Sequence, residues 1–183
     1  LLGHADPELD DLGASQAAAL AAEVSSGRFG DVRRIISSPL QRTRGTAAAI
    51  AAAVGREVEI DQRFIELNYG EFDGVPLSEI PTATWSAWRS DVHFRPPGGE
   101  SLADLAARVR PACAELLSAD EPGGTTVVVS HVSPIKAAVA WTIGVDDSVS
   151  WRLHLDPASI TAVTTRGAAV VLSVFNDTGH LRG

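Results

Sequence analysis

Apolar residues recur at intervals of three and four along several stretches of the chain, the pattern of helices with one buried face. The clearest stretch is 102–118, where Ser101 stands in position to cap the helix. Weaker forms of the same pattern predict the other helical segments, over residues 9–26, 39–53, 77–90 and 133–143. Five helical segments are therefore expected.

Short β-branched and apolar runs separate these helices. The run TTVVVS at 125–130 is continuous, as in a strand that is covered on both faces. Shorter runs predict the remaining strands, over residues 32–37, 57–60, 151–155, 159–165 and 169–175. Strands that alternate with helices predict a three-layer α/β/α sandwich with a mostly parallel sheet, formed as one domain over residues 1–183.

The composition is that of a globular protein with an acidic balance. The chain has 15 Lys and Arg against 23 Asp and Glu, a net charge of −8. Nucleic acid is excluded as the main ligand, because binding to its phosphate backbone needs a surplus of Lys and Arg. The sequence has no membrane span and no signal peptide, so neither a membrane partner nor export is expected and the predicted location is cytoplasmic.

The single cysteine, Cys113, excludes an internal disulfide and any all-cysteine metal site. It falls on the apolar face of the 102–118 helix, among leucines and valines. We therefore predict a buried small hydrophobic side chain rather than a reactive thiol.

Three polar residues lie where predicted strands end, which is where α/β sheets bind ligands. His131 follows the strand 125–130 and precedes a helix whose N-terminal N–H groups favour an anion. Arg42 lies in the first turns of the helix after strand 32–37, where a guanidinium can bind a phosphate through two N–H groups. Glu66 sits between an apolar pair and a glycine loop, a setting for a partly buried proton donor with a raised pKa.

Each of the three residues also has a purely structural explanation. A histidine at a strand end is commonly just a hydrogen-bonded structural residue, and a helical arginine commonly pairs with a surface acid. A glutamate before a glycine loop can simply cap a turn. The residues alone therefore leave the anion site and the structural roles open.

Five sequence blocks, taken together, resemble the histidine phosphatase superfamily, the phosphoglycerate-mutase-like proteins. The blocks cover nearly the whole chain in the family's order and spacing: LDDLGASQA (9–17), SSPLQRTRGTA (37–47), IELNYGEFDG (65–74), PPGGES (96–101) and VVVSHVSPIK (127–136). Within the superfamily the chain looks closest to bacterial phosphatases of the α-ribazole phosphatase type. It also resembles the acid phosphatase domain fused to ribonuclease HI, through the segments 152–159 and 176–179.

The resemblance implies a phosphomonoester hydrolase that works through a phosphohistidine on a small phosphorylated metabolite, without a metal or other cofactor. It implies that His131 is the second histidine and Arg42 the second phosphate-binding arginine. Glu66 is implied as the acid and base. Substrate binding then falls to Arg42, His131 and Val132.

One part of the family pattern is missing. No Arg-His-Gly motif, which would carry the nucleophilic histidine, occurs in the 183 residues; the chain has no methionine and begins at Leu1. Because the motif precedes the 9–17 block in the family, we expect it and its strand upstream of Leu1. His4 lies near that position but in the sequence GHAD, with no arginine before it, so it is not assigned as the nucleophile.

Two other functions stay open. The fold could serve as a non-catalytic binding or scaffold domain that lost its nucleophile. A phosphoglycerate mutase is less well supported, because family mutases carry a longer insertion between the acid and the second histidine than the separation between Glu66 and His131 here. A homodimer stays open as well, and the sequence assigns no physiological substrate.

For the remaining tryptophans, the lysine and three histidines, the sequence gives expectations about where they lie. Trp85 and Trp88 either line the mouth of the site or pack in the core. Lys136, the only lysine, is expected on a helix surface. The histidines outside the matching blocks are expected to be structural or on the surface: His93, His154 and His180.

Overall fold

The computed structural model describes residues 1–119, 124–167 and 169–182, and these residues form α-helices and β-strands joined by short loops and 3-10 turns. The helices are α1 (Asp11–Ser25), α2 (Gln41–Val54), α3 (Thr82–Ser90), α4 (Leu102–Ala119) and α5 (Val132–Ile143). The strands are β1 (Asp31–Ser37), β2 (Val58–Ile60), β3 (Gly124–Val129), β4 (Ile160–Arg166) and β5 (Ala169–Asp177). The five predicted helical segments are confirmed.

Three of the strands form a parallel sheet with β1 in the centre, in the order β2-β1-β3. Ser37, the last residue of β1, is in register with Ile60 of β2 and with Val129 of β3. The three strands therefore end at the same edge of the sheet. The residues that follow them, including those after β1 and β3, meet at that edge.

The sheet is covered by helices on both faces. Neighbouring residues of a strand point to opposite faces, and Ile35 packs in a cluster with α1 and α2. Ile36 packs in a second cluster with apolar residues of α4 and α5, among them Leu105 and Val109. This arrangement confirms the predicted three-layer α/β/α architecture with a parallel central sheet.

β3 is an edge strand among the described residues. Among the described residues it pairs only with β1, and every residue from Gly124 to Val129 is half-buried. Both of its faces are nevertheless covered, because Val127 and Val129 pack against the cluster of α1 and α2 while Val128 packs against the cluster of α4, which confirms the predicted coverage. Its partial exposure reflects its position at the edge of the sheet, since an edge strand has a neighbour on one side only.

The last third of the chain differs from its predicted pattern at one element. Residues 151–155 were expected to form a strand, but Asp147–Arg152 forms a 3-10 helix. The carboxylate of Asp146 accepts a hydrogen bond from the Ser148 N–H and starts that turn. β4 and β5 pair with each other in a two-stranded antiparallel sheet, separate from the parallel one.

Local capping explains where two helices begin. The Ser101 hydroxyl accepts the Asp104 N–H at 3.1 Å while the Asp104 carboxylate accepts the Ser101 N–H at 3.0 Å, so α4 has a reciprocal cap. α2 is capped from far away in sequence, because Asp6 accepts a hydrogen bond from the Gln41 N–H at 2.6 Å. The first residues of the chain are thereby tied to the start of α2.

Cys113 packs against the core cluster of α4 and is shielded enough that burial raises the pKa of its thiol to about 11. A thiol of that pKa is protonated at neutral pH, which confirms the prediction of an unreactive side chain. Within the described part of the chain, the helices are too short or too polar to cross a membrane.

Candidate active site

His131 stands at the N-terminus of α5, directly beyond the end of β3, and is 8% exposed. Its Nε2 atom lies 2.7 Å from the hydroxyl oxygen of Ser38, the first residue after β1. Burial, with a further contribution from the positive charge of Arg42, lowers the pKa of His131 to about 3. The imidazole is therefore neutral at physiological pH.

Arg42 lies in the first turn of α2, half-buried, with its guanidinium anchored on the N-terminal segment. One terminal nitrogen donates to the Ala5 carbonyl and the other to the Gly3 carbonyl, each at 2.8 Å. A guanidinium has five N–H groups, so three are left for an anion. Burial lowers the pKa of Arg42, while the carboxylate of Glu66 opposes that shift.

The segment that anchors Arg42 is itself held by one carboxylate. The two oxygens of Asp73 accept the backbone N–H groups of Gly3, His4 and Ala5 at 2.7, 2.9 and 2.8 Å. Asp73 thus fixes the backbone whose carbonyls orient Arg42. The His4 ring also reaches the site, with its Nε2 2.9 Å from the backbone carbonyl oxygen of Glu66.

Glu66 is the buried acid of the site, with 4% of its surface exposed. Its Oε1 atom accepts the Leu67 N–H at 2.7 Å and the Ser133 N–H at 3.2 Å. Burial raises the pKa of Glu66, although these hydrogen bonds and the charge of Arg42 act in the opposite direction. Because Oε1 is committed to two donors, a proton on this carboxyl belongs on Oε2.

A second layer of polar groups supports this acid. The Tyr69 hydroxyl lies 3.3 Å from the Ser133 hydroxyl, and the Tyr69 ring meets Trp88 edge-on with centroids 5.9 Å apart. Burial raises the pKa of Tyr69, so its phenol stays protonated. Arg108 donates to the Glu66 carbonyl at 3.2 Å and to the Glu100 carboxylate, which holds the acid's backbone in place.

The structure thus brings His131, Arg42 and Glu66 to one edge of the sheet, as the sequence predicted. Val132 is exposed beside them as the first residue of α5. Sequence reasoning missed Ser38, Asp73 and Ser133, because their roles depend on contacts between distant segments. Their presence inside three of the five sequence blocks is the signal in the sequence that could have identified them.

The structure decides between the two explanations given for Trp88 and corrects the expectation for Lys136. Trp88 is 1% exposed and stacks on Trp85 with centroids 5.5 Å apart, so it belongs to the core and does not line a mouth. Lys136 is half-buried rather than on the helix surface, and burial lowers the pKa of its ammonium.

The three other histidines take no part in the site. His93 is exposed, and His154 lies on the surface with its ring 3.1 Å from Asp156. The His180 ring hydrogen-bonds the carbonyl of Ala158 near the end of the chain.

A neutral histidine, an anchored arginine and a buried carboxyl with a raised pKa lie together at one edge of the parallel sheet of this α/β protein. Family comparison agrees with that description. Residues 1–178 match the model of the histidine phosphatase superfamily (branch 1). The chain belongs to this family.

Curated relatives match over almost the whole chain. A bifunctional protein of Mycobacterium tuberculosis is 35% identical over 98% of this chain, and the match spans 50% of that protein. Phosphoserine phosphatase 1 of Hydrogenobacter thermophilus is 36% identical over 98% of this chain and 85% of its own length. The chain therefore spans about half the length of the first curated relatives it matches.

Solved structures agree in fold. A mycobacterial glucosyl-3-phosphoglycerate phosphatase in complex with inorganic phosphate has a TM-score of 0.87 and 30% identity, covering 98% of this chain and 92% of its own. The α-ribazole phosphatase of Shigella flexneri, the type singled out by the sequence resemblance, has a TM-score of 0.80 and 23% identity, covering 97% of this chain and 88% of its own. That second similarity is one of fold.

Proposed function

We propose that this protein hydrolyses phosphomonoesters of small metabolites through a phosphohistidine intermediate. The observation that carries the proposal is the placement of Glu66, a buried carboxyl with a raised pKa, in the same site as Arg42 and His131. Proton donation to a leaving oxygen is favoured by an acid that keeps its proton to a higher pH than a free carboxyl does, and burial shifts the pKa of Glu66 in that direction.

Arg42, His131 and the backbone N–H of Val132 would hold the phosphoryl oxygens. Arg42 has three unused N–H groups, and Val132 opens α5, where the helix N-terminus favours an anion. Stabilising a transferring phosphoryl group is mainly a matter of charge and positioning. This set of donors supplies both charge and positioning. The proposed mechanism has no step that calls for a metal or other cofactor.

The reaction would run in two displacements. A histidine nitrogen bonds to phosphorus as the ester P–O bond breaks, and Glu66 gives its proton to the departing oxygen. Water then attacks the phosphohistidine, Glu66 accepts the water proton, and the P–N bond breaks to release inorganic phosphate. Glu66 is thereby returned to its protonated state.

The 183 residues contain no Arg-His-Gly motif, so the nucleophilic histidine of this mechanism is not assigned among them. We propose that a strand carrying the motif pairs with the edge of β3 opposite β1, which has no strand partner among the described residues. A parallel strand at that edge would end beside His131. Its last residues would then face the oxygens held by Arg42.

The relatives include a phosphoserine phosphatase and a glucosyl-3-phosphoglycerate phosphatase, and these names support a small phosphorylated metabolite as the substrate. We propose a substrate of that size and charge, with no nucleic acid or membrane partner. Cytoplasmic location, a single domain and a homodimer stay predictions of the sequence.

The missing motif favours one alternative, a phosphate-binding domain without turnover. Hydrolysis of an aryl phosphate by native protein, with its mass and N-terminal sequence verified, separates the two functions. Glu66→Gln is expected to reduce turnover about 100-fold or more, since general acid catalysis contributes on that order. Glu71→Gln, an exposed glutamate five residues away, is the matched control and should leave turnover unchanged.

Two results would contradict the phosphatase. Native protein that carries Arg-His-Gly but hydrolyses neither aryl phosphate nor phosphoserine would favour the binding domain, provided that it still binds inorganic phosphate. Full turnover in Glu66→Gln would remove Glu66 from the mechanism even if the protein is a phosphatase.

A further inference from the structure

Ser38 joins the carboxyl ends of β1 and β3 at the site. It is fully buried, its N–H donates to the Val129 carbonyl at 3.0 Å, and its own carbonyl accepts the hydroxyls of Ser37 and Thr43. These three backbone contacts fix where its side chain starts. Its hydroxyl oxygen then lies 2.7 Å from Nε2 of His131.

The direction of the Ser38–His131 hydrogen bond follows from the other contacts of the hydroxyl. The Leu40 N–H points at the same oxygen at 3.5 Å, so the oxygen already serves as an acceptor. The hydroxyl has a single proton, and a buried hydroxyl proton needs an acceptor. Within the described residues, Nε2 of His131 is the acceptor in hydrogen-bonding range.

We propose that Ser38 is a positioning residue, whose hydroxyl donates to Nε2 of His131 and holds the imidazole in the tautomer that carries its proton on Nδ1. The purpose of this contact rests on the proposed phosphatase function. A neutral imidazole has one N–H, and its location decides which edge of the ring can donate to an anion.

The Nδ1–H tautomer suits an anion site. No described residue hydrogen-bonds Nδ1, so its proton is free to donate to a phosphoryl oxygen near the guanidinium of Arg42. The opposite tautomer would present the Nδ1 lone pair to that oxygen and would repel it. His131 is neutral in the free site, so the hydroxyl of Ser38 is what selects between the two tautomers.

The tautomer is measurable by nitrogen NMR on the histidine-labelled 183-residue chain, with no turnover required. In the wild-type chain, Nδ1 of His131 is expected to resonate as a protonated, pyrrole-type nitrogen and Nε2 as an unprotonated, pyridine-type nitrogen. Ser38→Ala is expected to lose this preference and to populate the Nε2–H form. Ser37→Ala is the matched control, because it removes one of the contacts that hold the Ser38 backbone but keeps the Ser38 hydroxyl, and so tests whether a looser backbone alone moves the tautomer.

Inorganic phosphate is the binding probe. Ser38→Ala is expected to weaken phosphate binding about tenfold, on the scale of one lost hydrogen bond to a charged group, and Ser37→Ala to change it little. A structural defect would lower the unfolding midpoint of both variants together. It would not move the tautomer of His131 in Ser38→Ala alone.

Three results would overturn the inference. They are a wild-type chain with the proton of His131 on Nε2, a Ser38→Ala chain with an unchanged tautomer, and equal shifts in both variants. The wild-type spectrum decides the direction of the hydrogen bond even if Ser38→Ala does not fold. An inactive protein with the expected tautomer would count against the phosphatase and not against the positioning role of Ser38.

Discussion

The backbone nitrogen of Ser133 lies 3.2 Å from Oε1 of Glu66, and this contact ties the acid of the site to the helix that begins beside His131. Glu66 comes from a loop, whereas Ser133 is in the first turn of α5. This hydrogen bond therefore links Glu66 to the start of the helix beside His131. It leaves Oε2 outside the contact.

Replacing Glu66 should change how stability depends on pH. Burial raises the pKa of Glu66 in the folded chain above its unfolded value, so the folded chain binds more protons between the two values. Stability from this group is then present at low pH and falls as the pH rises through the folded pKa. Glu66→Gln has no proton to lose and keeps an oxygen for the Leu67 and Ser133 N–H groups.

We therefore expect Glu66→Gln to become more stable relative to wild type as the pH rises from 4 to 8, measured by urea unfolding. Glu71→Gln, at an exposed glutamate, should show no such trend. A difference between Glu66→Gln and wild type that stays constant with pH would contradict the raised pKa.

His131 should give the stability of the fold the opposite pH dependence, because folding lowers its pKa. Its pKa falls from 6.5 to about 3 on folding, so the unfolded chain binds more protons between those values. Stability is complete above pH 6.5 and is lost as the pH falls, by about 2 kcal/mol at pH 5. His131→Gln, which cannot be protonated, should remove that part of the acid destabilisation in urea unfolding at pH 7 and pH 5.

His154→Gln provides the control, since its ring is exposed on the surface. It should lose stability between pH 7 and pH 5 just as the wild-type chain does. Equal pH dependence in wild type and His131→Gln would mean that folding does not lower the pKa of His131.

Replacing Asp73 should destabilise the N-terminal segment that its carboxylate holds. Asp73→Ala leaves the N–H groups of Gly3, His4 and Ala5 without their acceptor, at a cost of about 1–3 kcal/mol. Hydrogen exchange of those three amides should accelerate. Because their segment anchors Arg42, binding of inorganic phosphate should weaken as well.

Glu71→Ala is the matched control for Asp73→Ala, with its side chain exposed in the same loop. It should leave both amide exchange and phosphate binding unchanged. Unaltered exchange at residues 3–5 in Asp73→Ala would contradict the proposed anchoring of the segment.

Trp88 should behave as a core residue. Trp88→Ala is expected to cost about 3–5 kcal/mol in urea unfolding, because it empties a site that is 1% exposed. Trp88→Phe should cost much less, since it refills most of the volume and removes an indole N–H that lacks a partner among the described residues. Trp85→Ala should lie between them, because Trp85 is half-buried. A larger loss for Trp85→Ala than for Trp88→Ala would reverse this assignment.

Much of the architecture could be predicted from the sequence, because local periodicity is what forms it. The apolar spacing of 102–118 predicts α4 within a residue, and the alternation of strands and helices predicts the layered sheet. The placement of His131, Arg42 and Glu66 at one edge was also predicted from the sequence, since each follows an element that ends there. The strand predicted over residues 151–155 was wrong, because the Asp146 cap starts a 3-10 helix there and outweighs a weak strand pattern.

The chain by itself therefore determined the elements and the residue types at the sheet edge, through propensities that act over a few neighbours. Tertiary structure decided the contacts that give those residues their chemistry. Ser38 reaches His131 across 93 positions, and Ser133 reaches Glu66 across 67. Burial shifts the pKa values of Glu66 and His131 only when the layers close over them, and no local pattern encodes which distant group will remove the water.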